Sequence, residues 1–147
     1  MLIAEDNPCD VSLLQYAFAA LNVACDWTVV ADGDELLAVL CGPASSDRCA
    51  VPNLIIIDLH LPRTDGWEVI EEMNKSRVVP SIPIILFTGY LSRSTTARAA
   101  QLPLPTVLLE KPGKLDGWVE VAREMLRAIA PASVEMTQAE QYQRQAA

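Results

Sequence analysis

The chain has 147 residues, 51% of them hydrophobic, and a net charge of −8. That length and apolar content suit one ordinary domain with its own core and exclude a disordered chain. The acidic balance excludes a nucleic-acid surface, which needs clustered Lys and Arg. Apolar runs such as residues 54–57 fall far short of the roughly 20 residues that a membrane span requires. The opening Met1-Leu2-Ile3-Ala4-Glu5-Asp6 lacks the basic-then-apolar order of a secretory signal. The expectation is a soluble, cytoplasmic protein with no nucleic-acid or membrane partner.

Short apolar runs alternate with amphipathic stretches, the signature of βαβ units around a parallel sheet. Predicted strands occupy residues 2–4, 27–31, 54–57, 84–87 and 106–109. Most are continuous Val/Ile/Leu runs, as strands covered on both faces should be. After the first strand, Asn7 is a predicted N-cap with Pro8 at the first helical position. Val11, Leu14, Phe18 and Leu21 then form one buried stripe. A second helix is predicted from Asp34 to about Cys41, followed by a polar loop over 42–52. A third opens on a capping box, Asp65 with Glu68, and turns Trp67, Ile70 and Met73 inward. The fourth, over 92–101, is polar and poorly patterned. The fifth carries Trp118, Val121, Ala122, Met125 and Ile129 on one face and stops before Pro131. The domain is expected to span 1–130, with 131–147 a Gln-rich polar tail. Cys9, Cys25, Cys41 and Cys49 show no metal-ligand spacing and read as small buried hydrophobes.

In an open parallel sheet, function gathers at the carboxyl ends of the strands. Those ends carry Glu5 and Asp6, then Asp58, then Thr88, then Lys111. Crowded carboxylates repel unless a cation joins them. A hard dication such as Mg²⁺ takes oxygen ligands, usually one or two carboxylates plus phosphate oxygens. Asp58 then reads as an oxygen nucleophile toward phosphorus. A bound cation and Lys111 would neutralise the transferring group, and Thr88 would donate a hydrogen bond to it. Taken singly, each residue has a plainer explanation: a helix cap, a loop lysine, a turn hydroxyl. Their joint placement at successive strand ends does not.

These residues resemble the receiver domain of two-component response regulators. The matching motifs are Glu5-Asp6-Asn7, Asp58-Leu59-His60-Leu61-Pro62 with Asp65-Gly66, Thr88-Gly89, and Lys111-Pro112. The resemblance implies a doubly wound, flavodoxin-like α/β fold with five parallel strands. It implies Asp58 as phospho-acceptor, and Mg²⁺ held by Glu5, Asp6, Asp58 and the backbone carbonyl of His60. Thr88 and Lys111 would contact the phosphoryl group, and Lys111-Pro112 would be a cis peptide. The implied role is a switch rather than an enzyme. Its partners would be a histidine kinase or phosphotransfer protein and a downstream protein target, with homodimerisation through the face of the fourth helix, fifth strand and fifth helix. Glu5-Asp6-Asn7-Pro8-Cys9-Asp10-Val11 and the loop at 42–52 further resemble the small single-domain regulators paired with phytochrome-type kinases. Leu108 departs from the family, which usually places Tyr or Phe there. That departure keeps open an alternative, a degenerate receiver acting as a phosphorylation-independent binding module. A haloacid-dehalogenase-type phosphatase fails, because its second Asp would have to stand where His60 is.

Overall fold

The computed structural model describes residues 1–41, 52–76, 82–104 and 106–130. Among these residues, ten elements alternate: β1 (Leu2–Ala4), α1 (Pro8–Ala20), β2 (Thr28–Val30), α2 (Gly33–Cys41), β3 (Ile55–Asp58), α3 (Gly66–Ser76), β4 (Ile84–Thr88), α4 (Arg93–Ala99), β5 (Thr106–Glu110) and α5 (Leu115–Ile129). All strand pairs are parallel and the sheet runs β2-β1-β3-β4-β5. This is the doubly wound, flavodoxin-like order, which changes direction between β1 and β3. The expected polar loop, up to residue 51, and the tail at 131–147 lie outside the described residues.

Alternate side chains of the same strands feed two cores. Leu2, Ala4, Ile55, Ile57, Ile84 and Leu86 pack under α2 and α3. Ile3, Leu54, Ile56, Ile85 and Phe87 pack under α1 and α5. The period of two and the absence of exposed faces explain why β3 and β4 are apolar at every core position. The α1 stripe is Val11, Leu14, Ala17 and Phe18, and that of α5 is Trp118, Ala122 and Met125. Phe87 and Trp118 meet edge to face across this second core, with ring centroids 5.7 Å apart.

Local chemistry sets the helix starts. Asn7 accepts the Cys9 amide, and Pro8 occupies the first helical turn. Asp65 and Glu68 bond reciprocally as a capping box. At Gly66 an added Cβ would lie 2.4 Å from the Asp58 carbonyl oxygen, so only glycine lets α3 start this close to the end of β3. Helix α4, capped by Ser92, has no buried residue. Arg98 anchors it by stacking 4.4 Å from the Trp67 ring centroid and bonding Glu71 at 2.7 Å, both on α3.

Three expectations need correction. No peptide bond among the described residues is cis, so Lys111-Pro112 is trans, the form that X-Pro bonds favour by about 0.5–1 kcal/mol. Cys9 is exposed rather than a buried hydrophobe, because it points away from the Val11-Leu14-Phe18 stripe. Trp67 is only half-buried, and Val69 takes the core position beside Ile70 and Met73 instead.

Candidate functional site

Parallel register brings the ends of β1 and β3 side by side, with Ala4 opposite Ile57. The chain therefore delivers Glu5, Asp6 and Asp58 to one edge, at the point where the sheet changes direction. Carboxylate oxygens of these three residues all lie within 4.8 Å of one another. Glu5 and Asp58 are buried, at 3% and 5% exposure, whereas Asp6 is open to solvent. Polar side chains end such strands because the apolar core stops there while the backbone ladder continues.

Lys111 reaches into this group from the end of β5. Its Nζ donates to Glu5 Oε2 at 2.6 Å, to Asp58 Oδ2 at 2.6 Å and to Asp10 Oδ2 at 2.9 Å. The lysine backbone is fixed by its own N–H, which donates to the Thr88 carbonyl at 2.7 Å. The other Asp58 oxygen, Oδ1, accepts the His60 N–H at 2.8 Å. Both acceptor-bearing oxygens of Asp58 are thus oriented, one by an ammonium and one by a backbone amide.

The electrostatics follow from burial. Desolvation raises the Glu5 carboxyl to about 7, and the Asp58 charge adds to the rise, while bonding to Lys111 opposes it. Burial by itself would lower Lys111, but hydrogen bonds to Asp58, Glu5 and Asp10 outweigh it and raise the ammonium above its usual value. One cation thus serves three carboxylates, leaving an excess of negative charge that a hard dication would relieve. Oxygen donors at this spacing, partly open to water through Asp6, suit Mg²⁺ or Mn²⁺ rather than a thiolate-seeking metal.

Each residue singled out in the sequence has a place here. Glu5, Asp6, Asp58 and Lys111 converge. Thr88 is buried at 1% exposure, and its hydroxyl bonds within its own loop, to the Tyr90 carbonyl at 3.3 Å. The His60 side chain is exposed, and only its amide is engaged with Asp58. Leu108 is partly buried against the α2–α3 core, pairing with Leu86 across the ladder. The residue missed is Asp10. It lies in the first turn of α1, where a carboxylate has a local explanation in the helix dipole.

A family model, the response regulator receiver domain, matches residues 1–123. The chain belongs to the response regulator receiver family. Among curated relatives of this family, response regulator Rcp1 of Synechocystis is 30% identical over 88 residues, which is 60% of this chain and 60% of that protein. The match therefore spans about three fifths of that relative's length. A phosphorylated cyanobacterial phytochrome response regulator, RcpA, superposes with a TM-score of 0.74 at 26% identity, covering 84% of this chain and 87% of its own. The Mn²⁺-bound form of Rcp1 shares the fold, with a TM-score of 0.71 at 24% identity over 84% and 88% of the two chains. Receiver membership carries the two-component signalling system with it. No described helix is long and apolar enough to cross a membrane.

Proposed function

We propose that this receiver is a phosphorylation switch whose acceptor is Asp58. One observation carries the reading: the ammonium of Lys111 and the amide of His60 hold the two oxygens of a buried Asp58 within a group of three carboxylates. A carboxylate oxygen of Asp58 attacks the phosphorus of a phosphohistidine. The P–N bond breaks, and its electron pair leaves with the imidazole. Mg²⁺ would be held by Asp6, Asp58 and the His60 carbonyl, with Glu5 beside it, and would supply charge stabilisation for the phosphoryl oxygens. Lys111 keeps Asp58 oriented and then neutralises a phosphoryl oxygen. The Thr88 hydroxyl leaves its Tyr90 partner and donates to another, drawing the β4–α4 loop inward.

The chain accordingly acts as a switch in the cytoplasm, phosphorylated by a histidine kinase or phosphotransfer protein. The likeness to RcpA favours a phytochrome-type kinase. Output runs through protein contacts, including self-association, on the face formed by α4, β5 and α5. Tyr90, Val107 and Leu115 are exposed apolar groups on that side. The intact group of three carboxylates and lysine argues against a degenerate, phosphorylation-independent module.

The test is labelling with acetyl phosphate and Mg²⁺, followed by intact mass. Wild type should gain one phosphoryl group, lost again in EDTA-free buffer by hydrolysis. Asp58→Asn should gain none, and equal labelling of that variant would end the assignment.

A further inference from the structure

Asp10 is the carboxylate of this cluster to which the phospho-acceptor reading gives no part. It lies in the first turn of α1, four residues after Asp6, with its Oδ2 2.9 Å from Lys111 Nζ. The contact is sheltered, with side-chain exposures of 14% for Lys111 and 17% for Asp10. A plain account of an acid in a first helical turn is its favourable interaction with the helix dipole. That account does not require the side chain to reach a lysine 101 residues away in sequence.

The three acceptors of Lys111 are not equivalent. Glu5 and Asp58 belong with Asp6 to the group whose oxygens lie within 4.8 Å of one another, and Asp10 does not. A dication entering that group draws on the oxygens of Glu5 and Asp58. The ammonium then shares Glu5 and Asp58 with the metal and gains a like-charged neighbour. Such repulsion is strong at short range in a partly dry site. Among its acceptors in the described residues, Asp10 is the one outside that group, so, unshared with the metal, it can hold the ammonium at the site.

We infer that Asp10 is a positioning residue that anchors Lys111 while a divalent cation occupies the Glu5–Asp6–Asp58 group. It parks the ammonium clear of the metal and within reach of the acceptor. Where it touches phosphoryl chemistry the inference rests on the reading above, but the anchoring is measured by metal binding alone.

The experiment is calorimetric titration of Mg²⁺ into wild type, Asp10→Asn, Asp10→Glu, Lys111→Met and the double variant Asp10→Asn/Lys111→Met. Losing a charge-assisted bond to a sheltered lysine should weaken Mg²⁺ binding by roughly tenfold or more in the wild-type background. With Lys111 already removed, the same substitution should cost only about threefold, the residual field of one charge. Asp10→Glu should restore most of the affinity, since it keeps the carboxylate. Equal losses in both backgrounds would overturn the proposal and make Asp10 a direct ligand or a bare charge. Unchanged affinity in Asp10→Asn would overturn it as well. Acetyl phosphate labelling in parallel separates the two readings. A wild type that binds Mg²⁺ but takes no label would defeat the phospho-acceptor assignment and leave the anchoring cycle to be judged on its own figures.

Discussion

Replacing Lys111 by Met removes the ammonium and keeps most of the aliphatic stem. In metal-free protein the change leaves Glu5, Asp10 and Asp58 without the cation that joins them. Two of these are nearly dry, at 3% and 5% exposure. Removing one partner from a buried ion pair typically costs about 3–5 kcal/mol. The cost here is bounded from above, because Glu5 already titrates near 7 and takes a proton more readily once the lysine is gone. About 3 kcal/mol at pH 8 in EDTA is expected, and appreciably less at pH 6, where that proton is bound. Millimolar Mg²⁺ should erase most of the deficit, since a dication replaces the missing charge and binds only the folded chain. Urea unfolding followed by circular dichroism, with EDTA or Mg²⁺ at both pH values, reads all four quantities. The same destabilisation with and without Mg²⁺ would refute the reasoning, because the lysine would then act through packing rather than charge.

Further outcomes follow from other residues. The folded-state value of about 7 for Glu5 lies above its ordinary 4.5, so the folded chain holds a proton that the unfolded chain releases. Metal-free stability should therefore fall as pH rises from about 4.5 to 7, by up to about 1.4 kcal/mol per pH unit, and Glu5→Gln should flatten that slope. Gly66→Ala should destabilise by about 1–3 kcal/mol and slow labelling of Asp58, because the new methyl collides with the Asp58 and Leu59 backbone; labelling at the wild-type rate would show that the strand end yields to the methyl without disturbing Asp58. Leu108→Ala should cost about 1–2 kcal/mol from a partly buried site yet leave the phosphorylation response of the β4–α4 loop in place. Hydrogen exchange with and without beryllofluoride checks this, and a response confined to β5 would contradict it. A partly buried leucine contributes well under the roughly 5.5 kcal/mol needed to invert a 1:99 equilibrium.

The parallel sheet was legible because its strands are unbroken apolar runs, and β1 was placed at its observed limits. At β3, β4 and β5 the ladder continues one residue past the apolar run, taking in Asp58, Thr88 and Glu110. Hydropathy stops where the core stops, whereas backbone pairing does not. Glu5, Asp6, Asp58 and Lys111 were legible because strand ends are where side chains leave the core together. Asp10 was not, since its partner comes from the far end of the chain and a carboxylate in a first helical turn has a local explanation. The fourth helix read as weak for a sound reason: it has no fully buried residue, and Ala99 is its one hydrophobic side chain packed against the core among the described residues.

Arg98 makes α4 visible to light. Trp27 and Trp118 are each packed edge to face on a phenylalanine, Phe18 and Phe87, in the core under α1 and α5. Among the described residues, Trp67 is the tryptophan with a charged group laid over its ring, and the charge belongs to α4. A guanidinium over an indole alters its emission, so lifting α4 away from α3 would brighten or shift one tryptophan and leave the other two as internal references. The molecule thus carries its own optical gauge of the contact between α4 and α3.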